Sequence, residues 1–202
     1  LIAQETGKQG EIARAMRNIV GTCIMDKSVD VNALTIFDLE YIFLKLRAKS
    51  VGEVVDLRYD CIECATSNEV QINIDTVEVV SPPGDKPPDD IQLTDSVGIK
   101  LQYPTVQDII NMDFSGSEYD QTLELIKSSI KTIYDADGTY NRVDAVRDEL
   151  DEFVNSFNRE QIDKIAAYMK SMPKIIKEIE YECAKCSHTD HEKVEGSDSF
   201  FA

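Results

Sequence analysis

An α+β fold is predicted by three observations. Apolar residues recur at helical spacing up to Ser50, they alternate at period two from Val55 to Ile74, and a Cys-x-x-Cys pair recurs in the same residue pattern near the end of the chain. Together these describe a helical domain combined with a zinc-ribbon-like pair of β-hairpins, each carrying a Cys-x-x-Cys knuckle.

The first element is an amphipathic helix. Ile12, Met16, Ile19, Val20 and Cys23 follow one another at spacings of three and four or close to it, which places them on one face. On that face Cys23 reads as a small buried hydrophobe. After a polar break at Asp26–Asn32, a second helix runs over Thr35–Ser50. Ile36, Phe37, Leu39, Tyr41, Ile42, Phe43, Leu44 and Leu46 make it apolar almost all round, as expected of a central helix contacted from several sides.

The period then changes. Val55, Leu57 and Tyr59 alternate with polar residues, and so do Val70, Ile72 and Ile74. Cys61-Ile62-Glu63-Cys64 and a polar turn at Ala65–Asn68 lie between them, which predicts a hairpin with two thiols at its tip. The run from Ser81 to Asp90 holds Pro82, Pro83, Pro87 and Pro88 and can continue neither ladder nor helix, so it is an exposed loop. Ile91–Tyr103 supplies one or two more strands, closed by Tyr103-Pro104.

Helical spacing returns after Pro104 and Thr105 through Ile109 and Ile110, and again in a longer helix carrying Leu123, Leu125, Ile126, Ile130 and Ile133. Asp-Gly turn chemistry interrupts it at Asp135–Arg142. Val143, Val146, Leu150, Phe153 and Val154 resume the period. Asn158 is an N-cap with Gln161 placed to complete a capping box, opening a helix that buries Ile162, Ile165, Ala166 and Met169 up to Pro173. Ile175, Ile176 and Ile179 lead into Tyr181 and the second knuckle. The divisions are an N-terminal helical segment (1–50), a first hairpin with its knuckle and strands (51–103), a helical insertion (104–178) and a second knuckle (179–202), expected to form one unit.

The chemistry lies in the cysteines. Leu57-Arg58-Tyr59-Asp60-Cys61-Ile62-Glu63-Cys64 and Ile179-Glu180-Tyr181-Glu182-Cys183-Ala184-Lys185-Cys186 share one pattern: aliphatic, any, Tyr, acid, Cys, any, charged, Cys. A two-residue spacer lets both sulfurs face one tetrahedral ion at about 2.3 Å. Each knuckle supplies two ligands and a closed structural site needs four, so Cys61, Cys64, Cys183 and Cys186 are the candidate ligands of one shared zinc. The gap between Cys64 and Cys183 far exceeds ribbon spacing, which makes the intervening chain a large insertion. Other uses of the same thiols stay open. A thioredoxin-type redox pair needs a helix inside a βαβ unit, and iron–sulfur ligation, plain reduced thiols or a disulfide across the hairpin are chemically allowed. His188 and His191, just beyond the second knuckle, read as polar turn residues or as replacement ligands. A closed four-thiolate shell leaves no open position for catalysis.

Other motifs carry less. Asp135-Ala136-Asp137-Gly138 resembles the start of a calcium loop without its later ligands, so a simple turn is expected. Asp144, Asp148, Glu149, Asp151 and Glu152 read as a solvated helix face. No phosphate-binding loop, zinc-protease helix or nucleophile elbow is present, and no catalytic residue is assigned.

Composition sets outer bounds. With 38 acidic and 21 basic side chains in 202 residues, the net charge of −17 repels nucleic-acid backbone and anionic membrane. No stretch of about 18 apolar residues exists. The sequence opens Leu1-Ile2-Ala3-Gln4-Glu5 without Met, a basic stretch or a small-residue cleavage site, so a few residues are expected to precede it and nothing calls for secretion. Five cysteines, four in tight pairs, suit cytoplasmic folding with metal-bound thiolates better than a disulfide framework.

Leu34–Glu53 followed by Cys61-x-x-Cys64 resembles the T4-type bacteriophage baseplate hub protein family. Asn158–Met172, Pro173, Tyr181-x-Cys183-x-x-Cys186 and the aromatic pair Phe200-Phe201 resemble that family's closing helix and knuckle, and the similarity spans most of the chain in order. The resemblance implies a contractile-tail phage protein made in the infected bacterium's cytoplasm. It would be a non-enzymatic hub component or assembly factor, whose partners are other baseplate and tail proteins. A zinc-ribbon adaptor of transcription or nucleic-acid machinery is the rival reading. It requires a basic face near the knuckles, where Arg58, Lys185 and Lys193 stand among Asp60, Glu63, Glu180, Glu182 and Glu192.

Overall fold

Helices α1 (Gln9–Cys23) and α2 (Ile36–Ser50) lead into a β-hairpin, β1 (Val54–Asp60) and β2 (Ser67–Asn73), in a computed structural model that describes residues 9–112 and 115–200. Strand β3 (Glu78–Val80), the proline-rich loop, β4 (Asp90–Gln92) and β5 (Gly98–Leu101) follow. Next come α3 (Val106–Asn111), α4 (Glu118–Ser129), β6 (Ile130–Tyr134), β7 (Thr139–Asn141), α5 (Arg147–Asn155) and α6 (Arg159–Lys170). A final hairpin, β8 (Lys174–Glu182) and β9 (Thr189–Glu195), returns to the first. Among the described residues all strand pairings are antiparallel, in the orders β1-β2, β3-β8-β9 and β4-β5-β6-β7. The protein is therefore α+β, with four cysteines brought together at the tips of two hairpins.

Three apolar clusters hold these elements, and α2 stands between two of them. Its Leu39 packs with Met16 and Val20 of α1, Val31 and Val106. Its Leu44 and Ala48 pack with Val55, Leu57, Val70, Ile72, Ile175, Ile179, Val194 and Phe200 beneath the paired hairpins. This is the central helix its apolar sequence called for. Thr35 caps it, its hydroxyl accepting from the Asp38 N–H, and Arg47 and Lys49 sit in the last turn, where cations favour the helix dipole. The third cluster joins Ile91, Ile99, Leu101 and Ile130 of the four-stranded sheet to Ile126, Val154, Ile165 and Tyr168 of α4, α5 and α6. Tyr103 bridges the clusters. It stacks on Tyr168 with ring centroids 4.9 Å apart and meets Phe37 of α2 edge-on at 6.0 Å. Burial pushes the Tyr168 phenol up to about 12.

The predicted capping box is present, with Asn158 Oδ1 accepting from Gln161 N–H at 3.0 Å and Gln161 Oε1 accepting from Asn158 N–H at 2.8 Å. Asp108 does two jobs: it completes the box with Thr105 at the start of α3 and binds Arg142 at 2.6 Å, fastening the segment after β7 to that helix. Lys86 of the proline-rich loop lies over the Tyr103 and Tyr168 rings, at 4.9 and 5.1 Å from the centroids.

Several expectations are corrected. Ile130 and Ile133 lie on strand β6, not on the helix that carries Leu123 and Ile126. Ser128 and Ser129 donate back to the Leu125 and Ile126 carbonyls, and the β-branched and aromatic run Ile130, Thr132, Ile133, Tyr134 suits the edge that β5 offers. Segment 104–178 thus holds β6, β7 and the first residues of β8 besides its helices. Val143 and Val146 precede α5, in a 3₁₀ turn and at its N-cap, and are exposed. Ile74 leaves the strand for a 3₁₀ turn, yet stays fully buried. Cys23 is exposed, not buried: the covered stripe of α1 centres on Ala13, Met16 and Val20, and Ile19 and Cys23 fall at its edge. Leu1–Glu5 and Phe201 lie outside the described residues.

Candidate metal centre

Hydrophobic alternation builds the centre. On β1, Val55 and Leu57 point inward; on β2, Asn68, Val70 and Ile72 do so. That fixes the register Leu57 opposite Val70 and Asp60 opposite Ser67, and leaves Cys61–Thr66 as the turn. On β8 and β9 the same logic sets Glu182 opposite Thr189 and leaves Cys183–His188 as the turn. The two turns are built alike. Cys61 N–H donates to Thr66 O at 2.9 Å and Ala65 N–H to Cys61 O at 2.8 Å. Cys183 N–H donates to His188 O and Ser187 N–H to Cys183 O, at 2.8 and 2.9 Å. In each, the residue after the second cysteine takes a left-handed conformation, Ala65 at φ 52° and Ser187 at φ 57°.

These are positions where a Cβ is strained and glycine is not. Ala65→Gly and Ser187→Gly are each expected to raise stability by up to about 1 kcal/mol, read as a higher urea midpoint at unchanged slope. A lower midpoint for both would contradict the strained-turn reading.

The four sulfurs of Cys61, Cys64, Cys183 and Cys186 lie within 4.8 Å of one another. Cys61 Sγ is 3.6 Å from Cys186 Sγ, and Cys64 Sγ is 3.6 Å from Cys183 Sγ, so each contact joins the first cysteine of one turn to the second of the other. All four are free thiols. A tetrahedral ion with sulfurs at about 2.3 Å sets neighbouring sulfurs about 3.8 Å apart. The donor set and its spacing fit such an ion. Cys61 and Cys183 are buried, while Cys64 is half-buried and Cys186 exposed, so the cluster has an inner and an outer side.

Electrostatics separates the thiols. The backbone N–H groups of Cys186 and Lys185 bring the Cys183 thiol down to about 6, and the Thr66 hydroxyl with its backbone lowers Cys64. At Cys186 the His188 N–H opposes the shift, but partial desolvation against the cluster and the three neighbouring thiols outweigh it and push the group up to about 12. Thiols this close cannot all ionise alone, because each new negative charge raises the next. A divalent cation removes that repulsion and allows four thiolates.

Neither histidine belongs to the sulfur cluster. His188 enters the second turn through its backbone, and His191 sits exposed on β9 with Nδ1 3.8 Å from Glu180 Oε2. Asp135 closes the β6–β7 turn, accepting from the Asp137 and Gly138 N–H groups at 2.8 and 3.0 Å, as a simple turn requires. Both Cys-x-x-Cys pairs lie in hairpin turns, and neither opens a helix.

Two contacts around the centre were not read from the sequence. Asn68 is buried; its Oδ1 accepts the Ala184 N–H of the other turn at 3.0 Å, and its Nδ2 donates to Thr66 O at 2.8 Å. A polar residue in the inward register of Val70 and Ile72 was the available signal. The repeated tyrosines, Tyr59 and Tyr181, stack on each other with centroids 5.8 Å apart. Asn68→Ala leaves both turns short of a partner and is expected to lower stability by about 1–2 kcal/mol, seen in denaturant unfolding. No change at all would mean that water serves these groups equally well.

Two knuckles related by a sequence repeat bring four thiols into one cluster at the tips of hairpins that share a core, in an α+β protein whose cysteine cluster is compatible with a zinc-ribbon-like site. The chain belongs to the T4 bacteriophage base plate protein family, whose family model matches residues 1–202. It matches no curated protein and no solved structure.

Proposed function

We propose that the protein is a non-enzymatic component or assembly factor of the baseplate hub, stabilised by a structural zinc that Cys61, Cys64, Cys183 and Cys186 hold as thiolates. The observation that carries the metal is the meeting of four sulfurs from two turns, with Cys64 and Cys183 119 positions apart in the sequence. Bound there, zinc supplies a cross-link between the first and last hairpins. The tail role rests on family membership, and the hub on the resemblance of Leu34–Glu53 and the two knuckles to hub proteins.

Its partners on this reading are other baseplate and tail proteins, met in the host cytoplasm during assembly and at the baseplate of the virion tail. Nucleic acid, membrane and small-molecule substrates are not among them. The net charge of −17 disfavours phosphate, and two of the three basic residues near the knuckles face acids: Arg58 pairs with Glu69 and Lys193 with Glu195. Among the described residues no helix is long and apolar enough to cross a membrane.

An infection with phage carrying an early stop codon in this gene tests the role. Filled heads without complete contractile tails are expected by electron microscopy, with tails restored when the protein is supplied from a plasmid. Normal tails in the uncomplemented infection would sink the proposal. Mass spectrometry of purified particles then separates a virion component from an assembly factor.

A further inference from the structure

The edge of the four-stranded sheet carries an apolar hollow apart from the metal centre, on the outer side of the third core, where Ile133, Leu150 and Phe153 pack against that core and also line the hollow. Strand β7 is the last strand of that sheet, pairing with β6. Between it and α5 lies a cavity of about 450 Å³, whose walls include Ile133, Tyr140, Ala145, Leu150 and Phe153. At and beside its mouth stand three large apolar side chains in water: Tyr140 is 49% exposed, Val143 78% and Val146 59%. Such a grouping within one short stretch is unlike the scattered apolar residues of an ordinary surface.

The rim is strongly acidic. Asp144 and Glu149 line the hollow, Asp135 and Asp137 hold the Tyr140 phenol above its ordinary value, and Asp148 and Glu152 are exposed on α5. The two arginines of this stretch are turned to other acids, Arg142 to Asp108 and Arg147 to Glu124. Thr139 is the position opposite Tyr134 at the hairpin's closed end, next to the Asp135–Gly138 pair that makes the turn bond. Ladder alternation therefore turns the Thr139 backbone groups away from β6, toward an incoming strand. An edge strand, an apolar cavity behind it and a negative rim call for an extended chain with an apolar anchor and positive flanks.

We propose that the hollow between β7 and α5 docks an extended segment of another baseplate protein, in which an aliphatic or aromatic side chain is flanked by Lys or Arg. The proposal rests on membership of the baseplate family and is independent of zinc. A partner with basic flanks is favoured over a second copy of this chain, because two rims of the same sign repel and the chain as a whole carries a net charge of −17.

The test places a photo-crosslinking phenylalanine analogue in place of Tyr140 or Val146 in the full chain, expressed during phage infection. Met25 and Ile62, also exposed, serve as control positions. After irradiation, mass spectrometry reads the sequence of the joined segment. Adducts from positions 140 and 146 to one shared segment with a basic-flanked apolar residue are expected, with yield falling at least fivefold in Asp144→Lys/Glu149→Lys. Both substitutions lie on exposed side chains, and circular dichroism with thermal unfolding of the variant checks that the fold is retained. Adducts to a second copy, adducts to a segment without basic residues, unchanged yield in the reversed-charge variant, or adducts from the control positions alone would each overturn the proposal. A correct segment from a baseplate protein outside the hub would remove the hub reading and keep this one.

Discussion

Cys183→Ala is expected to lose its metal and to unfold at least about 10 °C below the wild type, in a broadened transition. The size follows from two magnitudes. Structural zinc in small domains contributes about 10–16 kcal/mol of apparent binding energy at neutral pH, whereas whole domains are stable by about 5–15 kcal/mol. At this chain length each kcal/mol moves the midpoint by about 2–4 °C. Removing one of four ligands therefore weakens the joint between hairpins by an amount comparable with the stability of the fold. Cys183 is also the most buried of the four, at 1% exposure, so no water-borne ligand replaces it easily. The helices around Ile126, Ile165 and Tyr168 share no residue with the cluster under the hairpins, which is why the transition should broaden rather than vanish. Calorimetry of the freshly reduced variant checks this, and an unchanged sharp transition would show that the hairpins hold without the thiols.

Leu44→Ala is expected to remove about 3–4 kcal/mol, within the range for a fully buried leucine truncated to alanine. Leu44 has no exposed surface and sits where α2 meets both hairpins, among Leu57, Val70, Ile179 and Phe200. Rigid strands on one side and a helix on the other leave little room for the cavity to collapse. The centre should still take up zinc, because neither turn, 61–66 or 183–188, contributes a residue to the cluster around Leu44. Denaturant unfolding with metal retained is the expected result. A loss below about 1 kcal/mol would mean the core relaxes far more than close packing allows.

The hairpins and their thiols were legible because each signal was local and redundant. Period-two alternation set the strands, the two-residue spacer set the turns, and the matching Tyr-acid-Cys pattern tied the halves together. The repeat could not show that Tyr59 would stack on Tyr181, since a pattern records equivalence and not contact. Strand β6 was missed because Leu123, Ile126, Ile130 and Ile133 satisfy helical spacing, and only the open edge of β5 decides against it. Cys23 was misplaced by a small angle around α1, too small for spacing alone to resolve. Asn68 was read as a turn residue although it falls in the inward register of its strand, where a buried amide must have partners.

The most direct measurement is the zinc content of the wild-type chain, by elemental analysis of freshly purified, reduced protein. One zinc per chain is predicted, with iron absent and the metal lost in Cys183→Ala. No metal in wild-type protein would contradict the shared centre and leave the four sulfurs as a thiol cluster without a cation.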